Sequence, residues 1–165
     1  MNNRYALPKS GGLMEEEALG DIIHRYEKVD TKVYASEYDG VQYVADTIVG
    51  MIRRHEQERT STEIYEDYAP FVLGLTTGRT PLGLYRELVK RYKAGEVSFA
   101  DVEVYSLDEF YPIDRSEQQS RNYRIHEEFL SHIDILPENI HIPDGTVSES
   151  QISAYCNSFD KSVRK

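Results

Sequence analysis

The stretch from Phe71 to Ser106 limits the possible fold more than any other part of the chain. Phe71-Val72-Leu73-Gly74-Leu75 is a short continuous apolar run, as expected of a strand buried on both faces. Thr76-Thr77-Gly78-Arg79-Thr80 then reads as a turn. Thr80 is the predicted helix cap, and Pro81 suits the first helical position, where its missing N–H costs nothing. Leu84, Tyr85, Leu88, Val89 and Tyr92 recur at helical spacing, and Gly95 ends the pattern. Val102, Val104 and Ser106 alternate with Glu103 and Tyr105 through a second strand, which runs into Leu107-Asp108-Glu109-Phe110. Strand, helix and strand in this order form a βαβ unit, with parallel strands and a right-handed crossover in nearly all cases.

The flanking sequence continues the alternation. Val41, Val44, Ala45, Ile48, Val49 and Ile52 predict an amphipathic helix ending at Arg53-Arg54, and the polar segment from His55 to Ala69 reads as a connection. Lys32 to Ala35 is a candidate edge strand. Ser116 with Gln119, and Ser148 with Gln151, resemble capping boxes. The first precedes Ile125, Phe129 and Leu130; the second precedes Ile152, Tyr155 and Phe159. Asn139-Ile140-His141-Ile142 reads as a further strand. Alternating strands and helices predict an α/β fold, a doubly wound and mostly parallel sheet with helices on both faces. Ahead of it, residues 1–32 read as a loose arm, with Pro8, Gly11 and Gly12, and a helix marked by Leu13, Leu19, Ile22, Ile23 and Tyr26. The expected division is therefore 1–32 and 33–165.

A chain of 165 residues suffices for one core. Its 29 acidic and 19 basic side chains give a formal net charge of −10 at pH 7, which argues against a general nucleic-acid binder. Cys156 is the single cysteine, so no intrachain disulfide is possible. No apolar run is long enough for a membrane span, and Glu15-Glu16-Glu17 stands where a signal peptide would be apolar. The expectation is a soluble, cytoplasmic protein.

Chemistry is expected where the two parallel strands end. Both turns lie at the carboxyl edge of the sheet, where open α/β sheets bind ligands, on strands about 4.8 Å apart. The Thr76–Thr80 turn offers hydroxyls, a glycine and a helix start that suit a phosphate, with Arg79 adding a charge-assisted bond. A plain capped loop fits it equally well. It matches neither the Walker loop nor G-x-G-x-x-G. Asp108 and Glu109 point to opposite faces of the chain, so one enters the crevice; as structural residues, Asp108 would cap the next turn and Glu109 would be solvated. Beside a phosphate cradle, an acid at this place suits a general base. His24, His55, His126 and His132 read as surface residues, His141 as packed, and Cys156 as a small hydrophobe on the apolar side of a helix. Nothing points to a metal or cofactor.

Taken together, Phe71 to Pro81, Leu84-Tyr85, Leu88, Ala94 to Phe99 and Leu107 to Phe110 resemble the glucosamine-6-phosphate deaminase family. Phe129 to Ile135, Pro137 to Ile140 and Asp144-Gly145 extend the resemblance, which covers roughly residues 33 to 160. It implies a Rossmann-like fold and the isomerising deamination of glucosamine 6-phosphate to fructose 6-phosphate and ammonia, in amino-sugar catabolism and under the heading of a hydrolase. Asp108 is implied as the acid/base moving a proton between C2 and C1. Thr77, Gly78, Arg79 and Thr80 match the loop that approaches the sugar phosphate, and Glu109, matching a residue beside the base, is implied to bind substrate with them. Arg79 replaces the small residue usual there, which would strengthen phosphate binding, crowd it or mark another substrate. The family's later Asp-Gly-His and Asn-Glu motifs do not occur, so an incomplete domain with part of a site, inactive alone and prone to form a homo-oligomer, is expected. A 6-phosphogluconolactonase-like hydrolase, which usually has Asp-Glu-Arg where this chain has Asp108-Glu109-Phe110, and a non-catalytic sugar-phosphate sensor are the alternatives.

Overall fold

A computed structural model describes residues 31–61 and 69–163. The predicted helix at Leu13–Tyr26, and His24 with it, lie outside these residues. Contacts divide the chain into Met1–Tyr34 and Ala35–Lys165. Within the first unit, residues 31–34 are irregular. The edge strand expected from Lys32 does not form, and Val33, its central apolar residue, is 90% exposed.

The second unit begins with α1 (Glu37–Ser61), whose buried residues Ala45, Val49 and Ile52 share one helical face. Ser36 caps it, its hydroxyl accepting from the Asp39 amide at 3.2 Å. The helix runs past Arg54, where a connection was expected, through to Ser61. Thr60 and Ser61 back-bond to carbonyls of the preceding turn, and Arg59 pairs with Asp101 across the fold. Strand β1 (Phe71–Leu75), helix α2 (Leu82–Lys93) and strand β2 (Val102–Ser106) form the predicted crossover. Helix α3 (Arg121–Glu128), strand β3 (Ile140–His141) and helix α4 (Ile152–Val163) complete the described chain.

All three strands are parallel in the order β1-β2-β3. Phe71 pairs with Val102, Leu73 with Val104 and Leu75 with Ser106, so these side chains share one sheet face. That face forms the core with Ala45, Val49 and Ile52 of α1, Tyr85 and Leu88 of α2, and Phe99, Ile125 and Phe129. Phe129 stacks on Tyr85 at 5.0 Å and meets Phe99 edge-on at 5.5 Å, both favoured ring geometries. On the opposite face Tyr105 stacks on His141 at 4.4 Å, touches Phe159 of α4, and donates to the Ser162 carbonyl at 3.2 Å. Helices therefore lie on both faces of a parallel sheet, as the Rossmann-like reading requires. The opposite face is not covered at β1, where Val72 is 54% exposed and Gly74 is exposed. Cys156 is exposed on α4 rather than packed on an apolar side.

Candidate functional site at the carboxyl edge

The register fixes which loops meet. Leu75 pairs with Ser106, and the Leu107 amide donates to the Leu75 carbonyl at 3.0 Å, so β1 and β2 end level. The loop from Thr76 and the turn at Asp108 leave the same sheet edge side by side.

Gly78 has φ +114°, a conformation strained for any residue with a Cβ, so glycine shapes this loop. Its entry is held from below. The hydroxyl of buried Tyr85 donates to the Thr76 carbonyl at 2.5 Å and accepts from the Thr76 amide at 3.2 Å. Burial raises the Tyr85 pKa against the lowering effect of the Thr76 bond, with Glu128 adding to the rise, which keeps the hydroxyl a neutral donor. Thr77 and Gly78 are half-buried, while Arg79 and Thr80 are exposed. Thr80 does not cap α2: Pro81 is the residue before the helix, and no side chain accepts from its first amides. The Leu82 amide donates to the Arg79 carbonyl at 3.4 Å, and with no side-chain cap the helix start keeps the condition under which its next amides can serve an anion.

At the second turn the structural roles expected of the two acids are exchanged. Glu109, expected to be solvated or to touch substrate, spends both oxygens on the protein. Oε1 accepts from the Phe110 amide at 2.8 Å and the Arg121 amide at 2.9 Å. Oε2 accepts from Ser120 Oγ at 2.8 Å and the Asn122 amide at 3.0 Å. Burial would raise its pKa, but these four bonds prevail and hold it below the ordinary carboxylate range. Glu109 is a clamp joining the β2 turn to the start of α3, and the substrate-contact expectation is corrected accordingly. The expected capping box at Ser116 is displaced for a related reason. Ser116 is bonded through its amide and hydroxyl to Asp114, and Ser120 is the cap, accepting from the Tyr123 amide at 3.3 Å.

Asp108 does not cap a turn. Its side chain is 52% exposed at the sheet edge, its backbone carbonyl accepts from Ser106 Oγ at 3.0 Å, and Oδ2 meets Arg121 Nε at 3.3 Å. Arg121 was not singled out by sequence; neither were Ser106, Ser120 and Tyr85 as loop supports. The first signal available for Arg121 was its place one residue after a serine at a helix start. Asp108 and the Thr77–Thr80 loop thus share one open edge. Adjoining Glu109, a cleft of about 390 Å³ is lined by Asn122, Asp114, Arg115, Asp144 and Thr146 among others.

Gly145 closes this region. A Cβ there would lie 2.7 Å from both the Ile113 and Phe110 carbonyl oxygens, and the Gly145 carbonyl accepts from the Ile113 amide at 2.9 Å. The described histidines serve packing or backbone carbonyls: His126 bonds Asn122 and His132 bonds Glu127, each at 2.9 Å, while His141 lies 3.6 Å from Glu103. Among the described residues no group of His, Cys, Asp and Glu is arranged to hold a metal, and no helix is long and apolar enough to cross a membrane.

Residues 37–165 match the sequence profile of the family described as glucosamine-6-phosphate isomerases/6-phosphogluconolactonase. A glucosamine-6-phosphate deaminase of Treponema denticola is 44% identical over 95 residues, which make up 58% of this chain and 34% of that protein. The Drosophila melanogaster protein of the same name is 43% identical over 95 residues, with the same coverage of 58% and 34%. The chain thus spans about a third of the length of these curated relatives. Among solved structures, a monomeric glucosamine-6-phosphate deaminase superposes with a TM-score of 0.66 at 25% identity, over 78% of this chain and 47% of that one. A 6-phosphogluconolactonase from Shewanella baltica gives 0.55 at 18% identity, over 79% and 48%, a likeness of fold alone. The hydrolase heading expected from the sequence is overturned: the relatives are named deaminases and the family isomerases.

Proposed function

Because this chain belongs to the glucosamine-6-phosphate isomerase/6-phosphogluconolactonase family, we propose that it supplies the amino-terminal part of a glucosamine-6-phosphate deaminase. The residues from 33 onward form that part, preceded by an arm at 1–32. The reaction converts glucosamine 6-phosphate and water to fructose 6-phosphate and ammonia, a step of amino-sugar catabolism. In the ring-opened substrate, the Asp108 carboxylate takes the C2 proton while the C1 carbonyl oxygen takes a proton from the substrate's own C2 ammonium, leaving an enolamine with a C1 hydroxyl. The same proton returns to C1. The C2 imine then accepts water and releases ammonia, which balances the reaction.

Thr77, Gly78, Arg79 and Thr80 bind the phosphate through backbone amides, hydroxyls and the guanidinium. Glu109 contributes by position, holding the turn that carries Asp108. The observation that carries this reading is the level ending of β1 and β2, which sets an exposed carboxylate beside an uncapped loop–helix junction. The compartment that fits a sugar phosphate and a lone cysteine is the cytoplasm. Self-association is a further part of the proposal, supported by the uncovered flank at Val72 and by Leu107, 75% exposed.

The test is Asp108→Asn in the full-length protein, assayed for ammonia release. Loss of a general acid/base should lower kcat by about 100-fold or more with KM little changed. A rate within a few-fold of wild type would assign proton transfer elsewhere.

A further inference from the structure

The start of α3 carries an electrostatic anomaly. Arg121 is its first residue and the first turn has no acid, so a cation sits at the positive end of the helix dipole. The Glu109 carboxylate on the helix amides balances the dipole, and two further contacts hold the guanidinium itself. The guanidinium carbon lies 4.3 Å from the centre of the Phe110 ring, within cation–π range, and Nε meets Asp108 Oδ2 at 3.3 Å. The backbone amide of the same residue donates to Glu109 at 2.9 Å. One residue therefore holds both members of the acid pair, Glu109 by its main chain and Asp108 by its side chain.

An ion pair whose carboxylate is half-exposed adds little to stability. It can still restrict rotation. Asp108 has two free side-chain torsions on an exposed turn, and a planar guanidinium laid on a ring offers a fixed donor edge. It engages one carboxylate oxygen and leaves the other without a protein partner among the described residues. That free oxygen is the one available to exchange a proton.

We propose that Arg121, seated on Phe110, is a positioning residue that orients the Asp108 carboxylate for proton transfer. The proposal rests on Asp108 being the acid/base. Neither Arg121 nor Phe110 touches substrate in it; both act through Asp108.

The experiment is a double-mutant cycle in the full-length protein, with glucosamine 6-phosphate as substrate and thermal melting as the check on folding. Arg121→Met keeps an apolar stem against Phe110 and removes the guanidinium. It should lower kcat about 10-fold with KM within about two-fold, the sign of a contact that matters in the transition state. Arg121→Lys, which keeps the charge, should recover part of that loss, and Phe110→Leu, which keeps the ion pair, should lose about three-fold. In an Asp108→Asn background Arg121→Met should have no further effect, because the group it orients is gone. If Arg121→Met keeps wild-type kcat, or if its loss adds in full to that of Asp108→Asn, the positioning role is overturned while the role of Asp108 stands. If Asp108→Asn itself keeps wild-type kcat, both fall.

Discussion

Replacing Glu109 with glutamine tests the clamp at its centre. The carboxylate receives four hydrogen bonds, two on each oxygen. Glutamine has one acceptor oxygen, and its amino group must face two former donors. In the better orientation that group replaces Oε2. Ser120 Oγ can then turn and accept, but the Asn122 amide cannot. One backbone amide loses its partner, worth about 1–1.5 kcal/mol. The remaining bonds become neutral instead of charge-assisted, about 1 kcal/mol more. Loss of a negative charge at a helix start adds about 0.5 kcal/mol. The sum is about 2.5–3 kcal/mol, or roughly 8–10 °C in Tm for a unit of this size.

The assay is urea denaturation of both proteins, followed by circular dichroism, at neutral pH and again at about pH 3. The Glu109 pKa is depressed in the folded state, so its contribution is present above the ordinary glutamate value of 4.5 and is lost as pH falls through the folded value. The two proteins should therefore differ at neutral pH and converge in acid. A variant within about 0.5 kcal/mol of wild type at neutral pH, or a gap undiminished in acid, would refute the account.

Other outcomes follow from the same geometry. Gly145→Ala should destabilise by about 2–3 kcal/mol in a thermal melt, since its Cβ meets two carbonyl oxygens that belong to backbone and cannot swing away. Gly50→Ala, in α1 with nothing within 4 Å of the added carbon, should stabilise by about 0.5–1 kcal/mol. Tyr85→Phe should cost about 1–2 kcal/mol and weaken sugar-phosphate binding measured by calorimetry, because it removes the hydroxyl holding both polar atoms of Thr76.

The parts of the fold legible in sequence were those written by neighbours. Phe71–Leu75, the apolar positions of α2 and the alternation Val102–Ser106 are local signals, and the crossover rule turned them into a shared sheet edge. The misplaced features depend on distant partners. Ser116 carries the better local capping pattern, yet Ser120 caps α3, because Asp114 engages Ser116 and Glu109 supplies the oxygens that α3 needs. Spacing cannot reveal that an acid eleven residues earlier will serve a helix start. The end of α1 was obscured in a similar way: its last turns lack an apolar stripe and are tied to the fold by Arg59 and Asp101. The place of Asp108 at the sheet edge was legible from its position after a buried strand. Arg121 was not, since its meaning comes from the tertiary approach of α3.

The attachment of Thr76 to Tyr85 has a thermodynamic consequence for any anion that reaches the loop. Tyr85 is itself stacked on Phe129, so the ring that fixes the loop's first residue is anchored among the most deeply buried of the described side chains. The entropy of ordering that end of the loop is therefore spent during folding, and an arriving phosphate meets backbone dipoles already aimed. Its affinity should depend little on loop closure and should weaken as soon as the aromatic stack loosens, at temperatures below global unfolding.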